Sequence, residues 1–366
     1  MTNRILFLTP GLGKGGAETQ LIKLARFLRG QDIHILIISL KQINDFPVNL
    51  KAEGIEVVFL KSNWVVSFIP NLYLLFNILK NYKPDVVISF MFIAIIFGRS
   101  LKKWFKFKLI STIRISQIDN KWAYMFKLTS GLDDAVVYNS NASKINFESG
   151  EFAMKEGVVI RNAITIPDIG NLPILNNKPF KWICIAHFRV TKDYPTLFKA
   201  ISILKEYNFK IDIVGHLNNL DWPAQTILEL GIENHVALLG FQAESADFLR
   251  NSDALVLSSF SEGMPNAILE AMAHAKPVVA SDIDGVNELI SKSEGGFLFN
   301  PGDAEELAAR MLSVMEMSVD SRKAIGMAGR KFIEDNFEEK LIFNEWLKLI
   351  NPYLKQNISH YNSPLA

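Results

Sequence analysis

Short apolar runs alternate with helical stretches along this chain, and no other feature of the sequence constrains the fold as strongly. The first cycle contains the apolar run 5–8, a glycine-rich loop, a helical stretch over residues 21–28 and a second apolar run at 33–38. A strand, a helix and a further strand in close succession predict a parallel sheet. The pattern continues through four more apolar runs at residues 57–60, 86–89, 108–111 and 135–138.

The alternation stops near residue 168 and starts again at residue 182, which predicts two domains. Residues 168–181 contain Gly170, two prolines and three asparagines and show no periodicity, as expected of a linker. We therefore expect an N-terminal domain over residues 1–167 and a C-terminal domain over residues 182–336. Residues 337–366 are expected to form a helix that packs back on the first domain, and a tail. The expected strands of the second domain are residues 182–186, 210–214, 236–239, 254–257 and 277–280.

The fold class that follows is α/β, with two doubly wound parallel sheets and a ligand crevice where the strands end.

Cys184 lies in an apolar run and is the one cysteine of the sequence, so a buried thiol and a reducing compartment are expected. The longest apolar stretch, residues 86–98, falls short of the ~20 residues that span a bilayer. Because residues 5–8 are too short for the apolar core of a signal peptide, we expect a cytoplasmic protein or one at the inner face of the plasma membrane.

The charge of the chain is unevenly distributed. Residues 1–170 carry a net charge of +8 and the remainder carries −7, so either the first half meets an anionic surface or the distribution is chance. Residues 102–108 combine lysines with aromatic residues, and this composition favours docking on an anionic membrane over a solvated loop. Residues 67–76 are apolar and are better explained as a core helix. No recognition motif accompanies the charge, so nucleic acid is not an expected partner.

The glycine-rich loop suggests a phosphate site and one competing function. Gly11, Gly13 and Gly16 form a G-x-G-x-x-G motif between a strand and a helix, as in NAD-dependent oxidoreductases. That fingerprint also requires an acidic residue about 20 positions further on, at the end of the next strand. Residues 38–41 contain no acid, so the oxidoreductase is disfavoured. Backbone N–H groups at the start of a helix still favour phosphate.

Two glutamates separated by seven residues form the strongest candidate site. Glu262 lies in a loop after the expected strand 254–257. Pro265 is suited to the first helical position, which puts Glu270 one turn into the helix on the same face as Asn266. Carboxylates accept hydrogen bonds from sugar hydroxyls, and N–H groups at a helix start suit a phosphate or sugar oxygen. The alternative is an ordinary helix with a surface glutamate and a capping loop.

This segment, residues 258–273, resembles the E-x7-E motif of retaining glycosyltransferases of the GT-B fold, specifically glycosyltransferase family 4. Such a fold has two Rossmann-like domains that face each other across a cleft, with the acceptor on the N-terminal domain and the donor on the C-terminal domain. The resemblance extends from Gly15 to the last helix and therefore covers nearly the whole chain. Further matching segments are residues 160–164, 185–193, 277–282, 285–288 and 296–303.

The resemblance implies a role for each matched residue. Glu270 would bind the ribose hydroxyls of the donor nucleotide, and Glu262 would contact the donor sugar as a catalytic residue. Lys192 would face the donor diphosphate. His187 falls on the arginine of the family and Arg189 lies two residues further on; we prefer Arg189 because arginine stays charged and grips two phosphate oxygens. The remaining donor-binding positions are Gly15, Gly16, Gly263, Met264, Pro265 and Asn266.

Arg114 stands where many members of the family carry a histidine. It could bind an oxygen of the donor sugar or the acceptor but cannot be a general base. Asp282 and Asp284 form a D-x-D sequence, but they belong to a turn after a strand, and the histidines show no metal-ligand spacing. We therefore expect no metal and no cofactor, because the nucleotide sugar is a substrate.

The resemblance implies a retaining, metal-independent transferase that acts on a UDP-sugar, preferably one with an N-acetylhexosamine. The implied acceptor is a lipid-linked glycan or a growing surface polysaccharide such as lipopolysaccharide. The alternatives are a nucleotide-sugar epimerase of the same fold, the NAD-dependent oxidoreductase, and a relative that only binds its ligand.

Overall fold

The computed structural model divides the chain into two compact α/β units. Unit 1 comprises Met1–Ala163 and Glu339–Ala366, and unit 2 comprises Ile164–Glu338. The residues that the structure describes are 2–13, 15–46, 49–61, 64–115, 118, 120–150, 152, 155–170, 179–242 and 245–356. Part of the expected linker, residues 171–178, lies outside them.

Unit 1 is built on a sheet in which, among the described residues, seven strands all run parallel. The strands are β1 (Arg4–Thr9), β2 (His34–Ser39), β3 (Ile55–Phe59), β4 (Val86–Phe90), β5 (Lys108–Ile113), β6 (Ala135–Tyr138) and β7 (Val158–Val159). Their order is β3-β2-β1-β4-β5-β6-β7. The helices that connect them are α1 (Gly16–Gly30), α2 (Trp64–Tyr82), α3 (Phe92–Lys102), α4 (Asn120–Thr129) and α5 (Asn141–Ser149).

Both faces of this sheet are covered, as the uninterrupted apolar strands require. Ile5 and Phe7 of β1 pack with the apolar face of α1, whereas Leu6 and Leu8 pack with residues of α2 and α3. Successive side chains of a strand point to opposite faces, so one short run contributes to two cores. The order of the strands reverses between β1 and β4, which is the expected ligand position of a doubly wound sheet.

Unit 2 repeats this architecture with six parallel strands among the described residues. They are β8 (Phe180–Ile185), β9 (Phe209–Val214), β10 (Val236–Gly240), β11 (Ala254–Leu257), β12 (Val278–Ser281) and β13 (Gly296–Phe299), in the order β10-β9-β8-β11-β12-β13. The helices are α6 (Tyr194–Ile203), α7 (Trp222–Glu229), α8 (Ala246–Arg250), α9 (Asn266–Ala273), α10 (Asn287–Ser293), α11 (Ala304–Glu316) and α12 (Val319–Phe337). The predicted α/β class with two doubly wound sheets is confirmed.

The last helix, α13 (Glu339–Ile350), belongs to unit 1. Phe343 stacks on Phe27 of α1 with 4.6 Å between the ring centroids, and Trp346 is buried in the same core. In unit 2, the amide of Ile164 donates to the carbonyl of Phe337 over 2.8 Å. The chain therefore enters and leaves unit 2 at neighbouring points.

The packing of unit 1 corrects the expectation about residues 67–76 and leaves membrane docking by residues 102–108 a prediction. In residues 102–108, Lys102 and Lys108 both pair with Asp134 and Phe107 is buried, so this segment is not uniformly exposed. In residues 67–76, Ile69 and Tyr73 are 76% and 70% exposed, so α2 is not a core helix on all sides. Among the described residues, no helix is both long and apolar enough to cross a bilayer.

Candidate active site

The candidate site of unit 2 lies where its strand order reverses. Strands β8 and β11 are neighbours at the centre of the sheet, and the sequence continues outward from each in opposite directions. Parallel strands end at the same edge, so the loop after β8 and the loop after β11 meet there. The first loop carries Lys192 and the second carries Glu262.

The structure brings these two side chains together. Lys192 Nζ forms an ion pair with Glu262 Oε1, and both groups are mostly buried, with side-chain exposures of 20% and 11%. Ser259 Oγ donates to the same carboxylate oxygen over 2.7 Å. A cation and a carboxylate, partly desolvated and held by a hydroxyl, can exchange partners with the phosphate and hydroxyl groups of a ligand.

The loops that carry this pair are also held together through their backbones. Ser258 Oγ donates to the carbonyls of Lys192 and Asp193 over 3.1 and 3.0 Å, and the amide of Phe260 donates to the carbonyl of Thr191 over 2.8 Å. Asp193 adopts a φ of 44° and caps α6, accepting from the amide of Thr196. Burial raises the pKa of its carboxyl. The position of Lys192 is thus fixed on both sides.

Helix α9 starts beside Glu262 and presents its N-terminus at the same edge. Pro265 has a ψ of 110° and is the residue before the helix, so Asn266 is the first helical residue. The expectation that Pro265 opens the helix is therefore wrong, because its extended ψ precedes the first turn. No side chain caps α9, which leaves its positive dipole end suited to an anion. Gly263 and Met264 lie in the loop directly before it.

Glu270 lies one turn into α9, as predicted from its spacing, and is half-buried. Ser245 Oγ, which stands just before α8, donates to Glu270 Oε2 over 3.3 Å. A carboxylate offers about four lone-pair sites, so Glu270 can accept from ligand hydroxyls in addition to Ser245.

The turn that contains Gly285 packs against the loop that carries Glu262. Gly285 has a φ of +79°, and a Cβ there would lie 2.3 Å from the carbonyl oxygen of Gly263. Only glycine therefore fits this contact. Asp282, at the start of this turn, accepts from the side chain of Asn287 over 2.6 Å, as expected of a turn residue.

Aromatic rings at neighbouring strand ends were not predicted. His216 follows β9 and stacks on Phe241, which follows β10, with 4.4 Å between the centroids and an angle of 5°. His187 Nδ1 accepts from the amide of His216 over 3.1 Å, and a Cβ on Gly215 would meet the carbonyl of Ala186 at 1.9 Å. Each ring follows a strand in sequence, which is the signal that could have identified them. A stacked pair of this kind suits a planar group such as a nucleobase.

The preferred cation, Arg189, is exposed and precedes a 3-10 turn, Val190–Lys192. His187 is half-buried, two residues earlier along the same loop. Both residues follow β8, so both remain candidates for contact with the donor phosphates.

Gly15 and Gly16 occupy the expected position in unit 1, where Gly15 caps α1 and Gly16 begins it. Gly11, Gly13, Gly15 and Gly16 all have negative φ angles, so none of them needs glycine for its backbone conformation. Arg114 directly follows β5 and is 8% exposed.

Comparisons with known proteins agree with this architecture. Residues 172–332 match the family described as glycosyl transferases group 1. The amylovoran biosynthesis glycosyltransferase AmsK of Erwinia amylovora is 29% identical over 48% of this chain and 45% of its own length. An N,N'-diacetylbacillosaminyl-diphospho-undecaprenol alpha-1,3-N-acetylgalactosaminyltransferase of Campylobacter jejuni is 24% identical over 78% of this chain and 81% of its own.

The chain spans less than half the length of the first three curated relatives, namely 45%, 42% and 39%. Among solved structures, HepE of Anabaena in complex with UDP and glucose superposes with a TM-score of 0.81 at 21% identity, covering 94% of this chain and 98% of that one. This likeness shows the fold, which is the GT-B fold expected from the sequence.

We predict that Gly285→Ala disrupts the site and that Gly231→Ala does not. Both glycines have positive φ angles, +79° and +64°, but nothing lies within 4 Å of a Cβ at Gly231. Both variants should therefore lose about 1–2 kcal/mol of unfolding free energy from backbone strain. Gly285→Ala should lose more, and it alone should lose nucleotide binding, because its methyl group displaces the backbone of Gly263. Calorimetric titration with UDP and thermal denaturation measure the two effects; equal behaviour of the variants would contradict the prediction.

Proposed function

We propose that this protein, whose residues 172–332 match the family described as glycosyl transferases group 1, transfers a sugar from a UDP-sugar to a glycan acceptor with retention of configuration. The observation that carries the proposal is the Lys192–Glu262 pair beside the start of α9, at the point where the strand order of unit 2 reverses. This arrangement supplies a cation for a diphosphate and carboxylates for hydroxyl groups at one edge of the sheet.

The proposed roles follow from the charges of the groups. Negative charge develops on the departing diphosphate in the transition state, so Lys192, Arg189 and the N-terminus of α9 would stabilise it. When a donor binds, its phosphates would take Lys192 from Glu262. The carboxylate of Glu262, still held by Ser259, would then accept hydrogen bonds from the donor sugar. These cationic and dipolar groups supply charge stabilisation without a metal, so we propose a metal-independent reaction.

The relatives support a polysaccharide substrate. AmsK is named for amylovoran biosynthesis, the Campylobacter jejuni relative for transfer of N-acetylgalactosamine to a diphospho-undecaprenol-linked sugar, and HepE was solved with UDP and glucose. We therefore propose a UDP-linked donor, preferably an N-acetylhexosamine, and a lipid-linked or growing surface glycan as the acceptor. The NAD-dependent oxidoreductase is less well supported, since residues 38–41 contain no acid for the ribose.

We also propose that unit 1 docks on an anionic membrane. A groove of about 550 Å³ lies between α2 and the turn after α3. Its walls include Ile69, Tyr73 and Trp104, which are 76%, 70% and 74% exposed. Exposed aromatic rings of this kind settle at the headgroup level of a bilayer.

Lysines around this groove provide the matching charge. Lys80 lines it, and Lys103 and Lys106 are exposed on either side of Trp104 and Phe105. Each lysine near an anionic leaflet contributes about 1 kcal/mol, so the apolar and cationic parts together suit a membrane that contains anionic lipids.

The first test of the function is turnover. With a panel of UDP-sugars and a lipid-linked acceptor, the protein should release UDP in the presence of EDTA, and NMR should show an α-linked product from an α-linked donor. Loss of turnover on chelation that manganese or magnesium restores would contradict metal independence. A β-linked product would contradict retention.

The second test concerns Glu270. A hydrogen bond to a charged group contributes about 1.5–3 kcal/mol, so Glu270→Ala should weaken UDP binding about tenfold to a hundredfold without loss of folded structure. Glu229→Ala is the matched control, because Glu229 is exposed on α7 of the same unit. Unchanged UDP affinity in calorimetry would exclude the ribose role.

The third test concerns the membrane. A variant with Tyr73, Trp104, Lys103 and Lys106 changed to Ser should lose sedimentation with anionic vesicles at low salt, and salt should weaken binding of the wild type through screening. The control changes Tyr124 and Leu128 to Ser, since these exposed side chains lie on α4 and do not line the groove. Equal loss in both variants, or no wild-type binding to anionic vesicles, would contradict the proposal.

A further inference from the structure

Arg114 is a buried cation for which the described residues of unit 1 provide little compensation. It follows the last residue of β5 and is 8% exposed. Nη1 donates to the side-chain oxygen of Asn162 over 2.7 Å, and the guanidinium carbon lies 5.3 Å from the ring centroid of Phe90. Nε is buried without a hydrogen-bond partner. In the part of the chain that the structure describes, no carboxylate pairs with Arg114.

A second buried arginine in the same unit, Arg99, has both a counter-charge and hydrogen-bond partners for its guanidinium. Arg99 donates to both carboxylate oxygens of Asp133 over 3.0 and 2.6 Å. Its Nη1 donates to the carbonyl of Phe126 and the hydroxyl of Thr129 over 2.8 and 3.0 Å. Burying a charge without a counter-charge is unfavourable, so the difference between these two residues requires an explanation.

The start of α3, which lies near Arg114, also favours a negatively charged ligand. Strand β4 pairs with β5, with Phe90 opposite Thr112, so α3 begins at the sheet edge where Arg114 emerges. Met91 precedes this helix with a φ of 68°, and no side chain caps it. The N-terminus of a helix attracts anions. Burial lowers the pKa of Arg114 to about 10, which leaves it a cation at neutral pH.

We propose that Arg114 and the N-terminus of α3 bind an oxyanion of the acceptor, either a phosphate or a carboxylate. The inference rests on the proposed function in one respect, namely that the anion belongs to a transferase substrate. The fork of a guanidinium binds either group through two parallel hydrogen bonds. A phosphate would come from a lipid diphosphate, and a carboxylate would come from an acidic sugar.

Calorimetry on the full chain distinguishes the two sources. UDP is kept saturating so that the phosphate site of unit 2 is filled, and pyrophosphate, D-glucuronate or the neutral D-glucose is titrated. The wild type should bind one of the anions and not D-glucose; tighter binding of pyrophosphate indicates the phosphate, and tighter binding of D-glucuronate indicates the carboxylate. Arg114→Gln should weaken that binding at least about tenfold, and Arg114→Lys should restore part of it.

Two controls separate a ligand site from a structural role. Arg26→Gln removes an exposed arginine that pairs with Glu53 in the same unit and should not change anion binding. Without ligand, Arg114→Gln should raise the melting temperature, because it removes a buried charge that has no counter-charge among the described residues. No saturable anion binding by the wild type, or equal affinity in Arg114→Gln, would overturn the inference. UDP binding to unit 2, measured separately, tests the proposed function, and a protein that binds the anion but not UDP would contradict only that.

Discussion

Parallel strands all end at one edge of their sheet, and the candidate sites of both units depend on this constraint. In unit 2 the strand order reverses between β8 and β11, which brings together Lys192 and Glu262, two residues separated by 70 positions. In unit 1 the same geometry puts Arg114 beside the start of α3. The helices that cover both faces leave this edge as the place where polar groups reach a ligand.

The candidate site of unit 2 pairs its own charges, and this bears on how the proposed donor would bind. Lys192 pairs with Glu262, and Ser259 holds the carboxylate, so the two loops are held together by their own side chains. In the proposed function, a donor diphosphate would compete with Glu262 for Lys192 on loops that hydrogen bonds already hold in place, which would lower the cost of ordering. Gly285 maintains this geometry because no larger residue fits against the carbonyl of Gly263.

The sequence predicts what is local along the chain. The strands other than β7 and β13, the loop position of Glu262 and the place of Glu270 in α9 follow from periodicity and spacing, whereas Lys192 was identified through the family resemblance. Their roles remain predictions. Periodicity could not reveal the ion pair between Lys192 and Glu262, the ion pair between Lys102 and Asp134 or the burial of Arg114. Each of these depends on residues that are distant in sequence. Pro265 was misplaced by one position because its fixed φ suits both the residue before a helix and the first residue within it.

The chain enters and leaves unit 2 at neighbouring points, and this affects the order in which the two units fold during synthesis. Unit 2 is an insertion into unit 1, since Ile164 bonds to Phe337 where the two paths meet. Gln20 and Lys23 of α1 both bond to the carbonyl of Ala163, and Lys23 also pairs with Glu339. A ribosome completes unit 2 before it delivers α13, whose Phe343 and Trp346 fill the core of unit 1. Unit 1 is therefore the first unit to leave the ribosome and the last to finish folding. Until α13 is added, its apolar core is incomplete, and the exposed apolar surface is one that chaperones bind.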